Sequence, residues 1–187
     1  MGARILELGA LEGAHTKMMC DAGAKVIAVE GLSDCWLRCL IVQQAFKLKD
    51  ATFIFADFNE YVKECVDTAM EFDAVSAAGV LYHQKDPVTL IRKLAKITDN
   101  VFVWSQVAGP NTPNGKEHNI HGYRGKLNNY HGTRLTSEGY CGGLHNEAFW
   151  FYPDEMRRCF TDNGFTLVEK ESPDNINGKS LLFVAKK

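Results

Sequence analysis

The chain has 187 residues, of which 45% are hydrophobic and 24% are charged, and its formal net charge is −2. This composition is typical of one soluble globular domain, and the near-neutral balance excludes a general electrostatic attraction to nucleic acid or anionic membranes. No apolar run approaches the length of a membrane span, and acids interrupt the first apolar run, which excludes a signal peptide. The six cysteines include no Cys-x-x-Cys pair. We therefore expect a single cytoplasmic domain over residues 1–187 with reduced thiols.

The first predicted unit is an apolar strand from Arg4 to Leu8, a turn, and a helix from His15 to Ala22. The turn contains Gly9 and Gly13, which allow a sharp bend and a close approach to a ligand. The helix start behind it offers unpaired N–H groups and a partial positive charge. Glu7 lies just before the turn. A carboxylate at this position suits a ligand that carries an ammonium group better than one that offers only pyrophosphate.

Strands and helices then alternate along the chain with short connections. The expected strands are Lys25 to Val29, Thr52 to Ala56, Phe72 to Ala77 and Val101 to Ser105. Of the expected helices, one is capped by Ser33, one opens at Asn59 and one starts at Asp86-Pro87. This alternation predicts a parallel sheet with helices on both faces. Right-handed crossovers make the predicted fold a doubly wound α/β sandwich.

The stretch from about residue 106 to 147 interrupts this alternation. It is rich in Gly, Asn and His and shows no sustained periodicity, so we expect a loop insertion that folds over the carboxyl edge of the sheet as a substrate lid. After it we expect a helix from Pro153 to Asn163 and strands from Phe165 to Glu169 and from Ser180 to Ala185. The short polar connection between these two strands predicts an antiparallel hairpin at the sheet edge.

Three acids fall at the ends of three predicted strands, where an open α/β sheet binds its ligand. Glu30 is placed to accept the two hydroxyls of a ribose, and Glu7 is placed to face an ammonium group. Asp57 is placed to accept an exocyclic amine, with Phe58 beside a flat ring. One ligand that contains adenine, ribose and an amino acid would use all three carboxylates. That ligand is S-adenosylmethionine.

With these residues the chain resembles the class I S-adenosylmethionine-dependent methyltransferases. Glu7, Gly9 and Gly13 match the first motif of that family, whereas Leu11 stands where its middle glycine is usual. The resemblance covers about residues 4–105 and resumes at residue 152, outside the insertion. It implies a mostly parallel seven-stranded sheet that ends in an antiparallel hairpin. The cofactor residues that the resemblance implies are Glu7, Gly9, Ala10, Gly13, Glu30, Gly31, Asp57, Phe58 and Ala78.

The segment Gly79-Val80-Leu81-Tyr82-His83, followed by Asp86-Pro87, resembles a subgroup that includes the tRNA wobble-uridine carboxymethyltransferases. Those enzymes carry an N-terminal extension that this chain does not show, so carboxymethyl transfer to tRNA is not expected. The Tyr-His pair also occurs in many small-molecule methyltransferases. The resemblance therefore implies methyl transfer to an O or N atom of a small molecule, with Tyr82 near the transferred group.

The catalytic residues that we expect are Tyr82, His83 and His145. A neutral histidine suits the removal of a proton from a hydroxyl or amine acceptor, and His118, His121, His131 and Glu147 are alternative bases in the insertion. The pairs His118 with His121 and Cys141 with His145 lack a second matched pair, so no metal site is expected.

Several alternatives stay open at this point. A nicotinamide-dependent oxidoreductase shares the acid after the second strand, but its Gly-x-Gly-x-x-Gly fingerprint is not matched. A second alternative is a binding or scaffold protein that holds S-adenosylmethionine without turnover. A third alternative is a methyltransferase that acts on RNA or protein. This fold often covers its cofactor with a helix that precedes the first strand, and we expect a homodimer or the insertion to cover the sheet face or the cofactor instead.

Overall fold

The computed structural model describes residues 2–109, 112, 115–129, 143–170 and 178–187. The strands are β1 (Arg4–Leu8), β2 (Lys25–Glu30), β3 (Ala51–Phe55), β4 (Ala74–Ala78), β5 (Asn100–Gln106), β6 (Lys116–Ile120), β7 (Tyr123–Asn129), β8 (Glu147–Phe151), β9 (Thr166–Lys170) and β10 (Ser180–Lys186). The helices are α1 (Ala14–Asp21), α2 (Ser33–Phe46), α3 (Phe58–Asp67), α4 (Pro87–Ile97) and α5 (Pro153–Asp162), with a single 3-10 turn at Leu81–His83.

The main sheet has seven strands in the order β3-β2-β1-β4-β5-β10-β9. Strands β1 to β5 run parallel to one another, whereas β10 pairs antiparallel with both β5 and β9. This topology confirms the predicted doubly wound sheet and its antiparallel C-terminal hairpin. The carboxyl ends of the parallel strands meet at one edge of the sheet, where the acids were expected.

Each face of the main sheet has its own apolar layer, because successive strand residues point to opposite sides. On one side, Leu6, Val75 and their neighbours pack against α3, α4 and α5. On the other side, Val26, Ala28 and Phe53 pack against Cys39 of α2. Since β1 and β4 are buried within the sheet, they read as almost continuous apolar runs rather than alternating ones.

Helix starts lie close to the expected positions, although α1, α2 and α3 each begin one residue earlier. Asp86 caps α4 by accepting from the Thr89 N–H at 2.9 Å, and Pro87 occupies the first turn as predicted. Helix α2 begins at Ser33 itself, so Leu32 rather than Ser33 is its N-cap. Helix α3 begins one residue earlier than expected and is capped by Asp57.

The expectation that the insertion is loop throughout is wrong for its described part. Strands β6, β7 and β8 form a second, antiparallel sheet in that order. Both limits of the predicted insertion also lie within strands, because Gln106 ends β5 and Glu147 begins β8. Residues 110–111, 113–114 and 130–142 of the insertion lie outside the described residues, so its function as a lid stays a prediction.

The strands β6 and β7 escaped detection because neither shows an alternating pattern. All of β6 except Ile120 is exposed, so no apolar face marks it. In β7, Gly125 stands opposite Phe151, and a Cβ on Gly125 would lie 2.2 Å from the carbonyl oxygen of Trp150. A glycine at a close backbone approach removes the side chain that would have completed the pattern.

The second sheet is not a separate body. The rings of Tyr123, Phe149 and Phe151 belong to the same apolar core as Leu6 and Phe160. Phe149 and Phe151 are fully or almost fully buried and lie edge to face, with ring centroids 5.1 Å apart. The described elements therefore share one principal core. Within the described ranges no helix is long and apolar enough to cross a membrane.

Candidate active site

A cavity of about 410 Å³ opens at the carboxyl edge of the main sheet. This volume lies within the range of about 300–1,000 Å³ that small-molecule and cofactor sites usually occupy. The expected site residues that line it are Gly9, Ala10, Glu30, Gly31, Asp57, Phe58, Ala78, Tyr82, His83 and His145. Glu7 and Gly13 are the two expected residues outside this lining. Contact of those two with a ligand stays a prediction.

The turn between β1 and α1 needs its two glycines. Gly9 has φ 68°, and a Cβ there would lie 2.7 Å from a methyl group of Val80. Gly13 has φ 77°, and a Cβ there would lie 3.1 Å from the ring of Phe53. Both positions therefore combine a backbone conformation that favours glycine with little space for a side chain. The backbone of this turn can approach a ligand closely.

Glu30 organises the backbone around the cavity. Its side chain is buried, with one carboxylate oxygen accepting from the Leu11 N–H and the other from the Leu32 N–H, each at 2.8 Å. A carboxylate offers about four lone-pair positions. Two further donors, such as the two hydroxyls of a ribose, therefore fit the same group.

Glu7 lies beneath the turn. It is 2% exposed, and one of its carboxylate oxygens accepts a hydrogen bond from the Thr16 hydroxyl on α1. Burial raises the pKa of Glu7 to about 7, the Thr16 bond opposes this rise, and the nearby Glu30 adds to it. In this position Glu7 connects β1 to α1, while its proposed contact with an ammonium group is untested.

Asp57 is the N-cap of helix α3. Its Oδ1 accepts from both the backbone and side-chain nitrogens of Asn59, at 2.8 and 3.1 Å, which caps α3. The Asn59 side chain also donates to Gln84 at 2.7 Å. This bond ties the first turn of α3 to the turn after β4. Asp57, Phe58 and Asn59 line one wall of the cavity.

Tyr82 and His83 occupy the turn after β4. Edge-to-face contacts hold the Tyr82 ring against Trp104 and Trp150, with centroid distances of 5.9 and 5.8 Å. His83 is 8% exposed, and its burial lowers the pKa of its imidazole to about 4. His83 is therefore neutral at pH 7 and does not add a cation to the cavity.

The segment just before β8 forms the facing wall. Gly31 approaches the Leu144 side chain so closely that a Cβ on Gly31 would lie 2.7 Å from it. A Cβ on Gly143 would likewise lie 2.9 Å from the Cβ of His83. These approaches bring His145 to the cavity that Tyr82 lines. The structure thus places all three expected catalytic residues on one cavity, although their roles stay predictions.

The alternative bases lie away from this lining. His118 is on β6 with its ring 6.3 Å from that of Phe149, and His121 contacts Asp86 at 2.8 Å. Glu147 lies 3.7 Å from the Lys85 ammonium. His131 and Cys141 lie outside the described residues. Of the alternatives that the structure describes, none lines the cavity.

Several lining residues were not among the expected site residues. They include Leu32, Asn59, Trp104 and Leu144. Trp104 pairs in register with Ala78 across β4 and β5, so its place at the cavity depends on strand pairing rather than on any local motif. Leu32 and Asn59 each stand two residues after a strand-end acid, and that spacing is a signal that could have found them.

Solved structures show where this fold occurs elsewhere. The N-terminal domain of EvdMO1, crystallised with S-adenosylhomocysteine and D-fucose, aligns with a TM-score of 0.78 over 98% of this chain and 76% of that one, at 24% identity. The magnesium protoporphyrin IX methyltransferase ChlM from Synechocystis PCC 6803, with bound S-adenosylmethionine, aligns with a TM-score of 0.66 over 100% and 70% of the two chains, at 15% identity.

A third similar structure is the 1,6-didemethyltoxoflavin-N1-methyltransferase from Burkholderia thailandensis, with its TM-score of 0.66, 17% identity and coverage of 100% and 71%. The TM-scores of these three structures establish a shared fold. No curated protein sequence matches significantly.

The family itself is shown by sequence. Residues 1–170 match the family model described as a methyltransferase domain. This match excludes the nicotinamide-dependent oxidoreductase alternative. The chain therefore belongs to the methyltransferase domain family, and its enzyme class is that of the S-adenosylmethionine-dependent methyltransferases.

Proposed function

We propose that this protein transfers a methyl group from S-adenosylmethionine to an O or N atom of a small-molecule acceptor. The observation that carries the proposal is the single cavity where the strand-end acids Glu30 and Asp57 face the same space as Tyr82 and His145. The first pair suits the nucleoside of the cofactor. The second pair stands in the segments that follow β4 and precede β8. We propose that these two residues face the methyl group and the acceptor.

The cofactor residues fit the group that they would hold. Both Glu30 oxygens keep acceptor capacity beyond their bonds to Leu11 and Leu32, which suits a ribose diol. The two bonds from Asn59 end on Oδ1 of Asp57, and in the described part of the chain no bond ends on Oδ2. That oxygen suits an exocyclic amine. Phe58, at the same wall, suits the face of the adenine ring.

Bound S-adenosylmethionine supplies an electrophilic methyl carbon on a sulfonium. In the proposed transfer the carbon–sulfur bond breaks, its electron pair stays on sulfur, and a new bond forms to the acceptor oxygen or nitrogen. The chain's task is to hold donor and acceptor in line. The acceptor also loses a proton, and His145 is the residue on the lining that we propose to take it.

Tyr82 has a positioning role in this proposal. Trp104 and Trp150 brace its ring from two directions, so the ring presents a fixed apolar wall toward the methyl site. The neutral His83 beside it keeps positive charge away from a sulfonium. D-fucose and 1,6-didemethyltoxoflavin occur with the similar structures named above, and we propose acceptors of that size for this chain.

The direct test is calorimetry with S-adenosylmethionine and S-adenosylhomocysteine, followed by a search for S-adenosylhomocysteine release with ring-containing hydroxyl and amine compounds. We expect micromolar binding of both nucleosides and turnover with at least one acceptor. A folded sample that binds neither would sink the proposal. Binding without turnover on any small molecule, but with turnover on RNA or a protein, would overturn the acceptor class and leave the cofactor site intact.

We also propose that the protein acts in the cytoplasm as a homodimer. The sheet face around Ile5, Ala74 and Phe102 borders an open groove of about 350 Å³, and Phe102 is 42% exposed. An apolar face of this kind favours association. Sedimentation analysis at several concentrations tests the oligomeric state, and a monomer at all of them would overturn it. Cell fractionation tests the location.

A further inference from the structure

Leu11 has an unusual backbone for its residue type. Its φ is 54°, in the left-handed region that L-residues with a Cβ rarely adopt. Leu11 therefore has a backbone conformation that a glycine would adopt without strain. Leu11 also lines the cavity. A residue held in this conformation at a ligand site needs surroundings that fix it from several directions.

Two neighbouring side chains form hydrogen bonds with the Leu11 backbone, one with its N–H and one with its carbonyl. The Glu30 carboxylate accepts from the Leu11 N–H at 2.8 Å. The Cys39 thiol, on the buried face of α2, donates to the Leu11 carbonyl at 3.3 Å. A third contact fixes the next residue, since Arg38 of α2 pairs with the Glu12 carboxylate at 2.8 Å. Helix α2 thus contacts the turn at two consecutive residues.

We propose that Cys39 is a positioning residue for the cofactor, because its thiol and the Glu30 carboxylate together hold Leu11 in the left-handed conformation that shapes the cavity wall. The inference rests on the proposed function, which makes this cavity the cofactor site. Cys39 itself does not line the cavity. It acts through the Leu11 carbonyl, while the Leu11 N–H donates to Glu30, the residue that we propose to bind the ribose.

The chemistry of Cys39 suits this task. The side chain is fully buried, so solvent does not compete for the Leu11 carbonyl. Burial, followed by the negative charges of Glu30 and Glu7, raises the pKa of the Cys39 thiol to about 12. The thiol keeps its proton at physiological pH and remains a donor. A thiol also fills the small space between α2 and the turn without the full desolvation penalty of a more polar group.

A double-mutant cycle tests the proposal through the affinity for S-adenosylhomocysteine, measured by calorimetry. In the wild-type background, Cys39→Ala should weaken binding about ten-fold, because the leucine then leaves its ligand-ready conformation more often. In the Leu11→Gly background the same change should weaken binding less than about two-fold, since glycine adopts this conformation unaided. An equal loss in both backgrounds, or no loss in either, would overturn the proposal.

Cys39→Ser is the conservative variant, because its hydroxyl also donates to a carbonyl, and it should bind within about three-fold of wild type. Cys159→Ala is the matched control: Cys159 is another fully buried thiol, in α5 and away from the cavity lining. It should lower stability without changing affinity. An affinity loss for Cys159→Ala equal to that for Cys39→Ala would assign the effect to general loosening of the core and overturn the proposal.

Amide exchange without any ligand gives a second readout. Cys39→Ala should raise the exchange rate of the Leu11 amide while the amides of α4 exchange as in the wild type. Unchanged protection at Leu11 would contradict the proposal even if affinity falls. Wild-type protein that binds no S-adenosylhomocysteine would refute the proposed function instead, and this exchange result would still report on the Leu11 contact.

Discussion

The two sheets meet the cavity in different ways. The main sheet contributes the ends of its parallel strands, so that Glu30 and Asp57 reach the cavity because each follows a strand. The second sheet contributes the segment before β8, with Leu144 and His145, and its buried rings join the principal core. The proposed cofactor side is thus encoded by a local rule that repeats along the chain. The proposed acceptor side depends on how a second sheet packs.

The largest expected effect tests whether the two sheets share one core. Phe149→Ala, on β8, should lower the free energy of unfolding by about 3–5 kcal/mol, because this ring is fully buried among residues of both sheets. Chemical denaturation should show one transition at a lower midpoint. Phe102→Ala is the control, because Phe102 is 42% exposed and should cost much less. Two separate transitions would show that the second sheet has a core of its own.

The next effect concerns the cofactor side alone. Glu30→Gln should weaken binding of S-adenosylhomocysteine about 100-fold, because the amide places a donor where the carboxylate accepts from Leu11, Leu32 and the proposed ribose. Calorimetry at constant pH measures it. Glu64→Gln, an exposed acid on α3, should leave affinity unchanged. If Glu30→Gln binds within three-fold of the wild-type affinity, the proposed contact between Glu30 and the ribose is wrong.

A smaller effect concerns the pH dependence of stability. The pKa of Glu7 is raised from 4.5 to about 7 in the folded chain, so between these values the folded state holds more protons than the unfolded one. Stability then falls as the pH rises through 7. Between pH 5 and pH 8 the wild type should lose about 2 kcal/mol relative to Glu7→Gln, whose side-chain oxygen still accepts from Thr16. Parallel stability curves for the two proteins would contradict this.

The same carboxyl group offers a test of the predicted ammonium contact. A cation beside Glu7 favours its ionised form. Binding of S-adenosylhomocysteine at pH 7 should therefore release about half a proton, which appears as a dependence of the calorimetric enthalpy on the buffer. The dependence should vanish in Glu7→Gln. If the wild type shows none, Glu7 supports the turn without contacting the ligand.

The smallest effect concerns the edge of the second sheet. His121, in the turn between β6 and β7, contacts the Asp86 carboxylate that caps α4. Both side chains are about two-fifths exposed, so His121→Asn should cost only about 0.5 kcal/mol of unfolding free energy. Asp86→Ala should cost about 1 kcal/mol more, because α4 also loses its cap. Equal costs would mean that the cap contributes nothing.

Most of the main sheet could be predicted from the sequence, because the patterns that specify it are local. Alternating strands and helices with short connections specify a doubly wound sheet, and an acid at a strand end needs no tertiary information to be placed at the carboxyl edge. The chain shows this for Glu30 and Asp57. The same rule does not distinguish an acid that lines the cavity from one beneath it, as Glu7 shows. Glu7 and Glu30 point to the same sheet face, because Glu7 pairs in register with Ala28, two residues before Glu30. The distinction therefore depends on how far along its strand each acid stands.

The rest depends on contacts between distant segments. Trp104 reaches the cavity through its register with Ala78, and β6 shows no apolar face that a pattern could reveal. Leu11 stands where the middle glycine of the family motif is usual. It lines the cavity, but its left-handed backbone and the Cys39 thiol that contacts it appear only in three dimensions.

The position of β10 has a consequence for synthesis on the ribosome. This strand lies between β5 and β9, although it follows both in the chain. While residues 180–186 are still unmade, the edge of β5 is open and β9 has no neighbour in the main sheet. At roughly 5–20 residues per second, β5 waits several seconds after its own synthesis for this partner. The open edge is then a site where a second nascent chain could pair, so folding yield should depend on how quickly the last strand emerges.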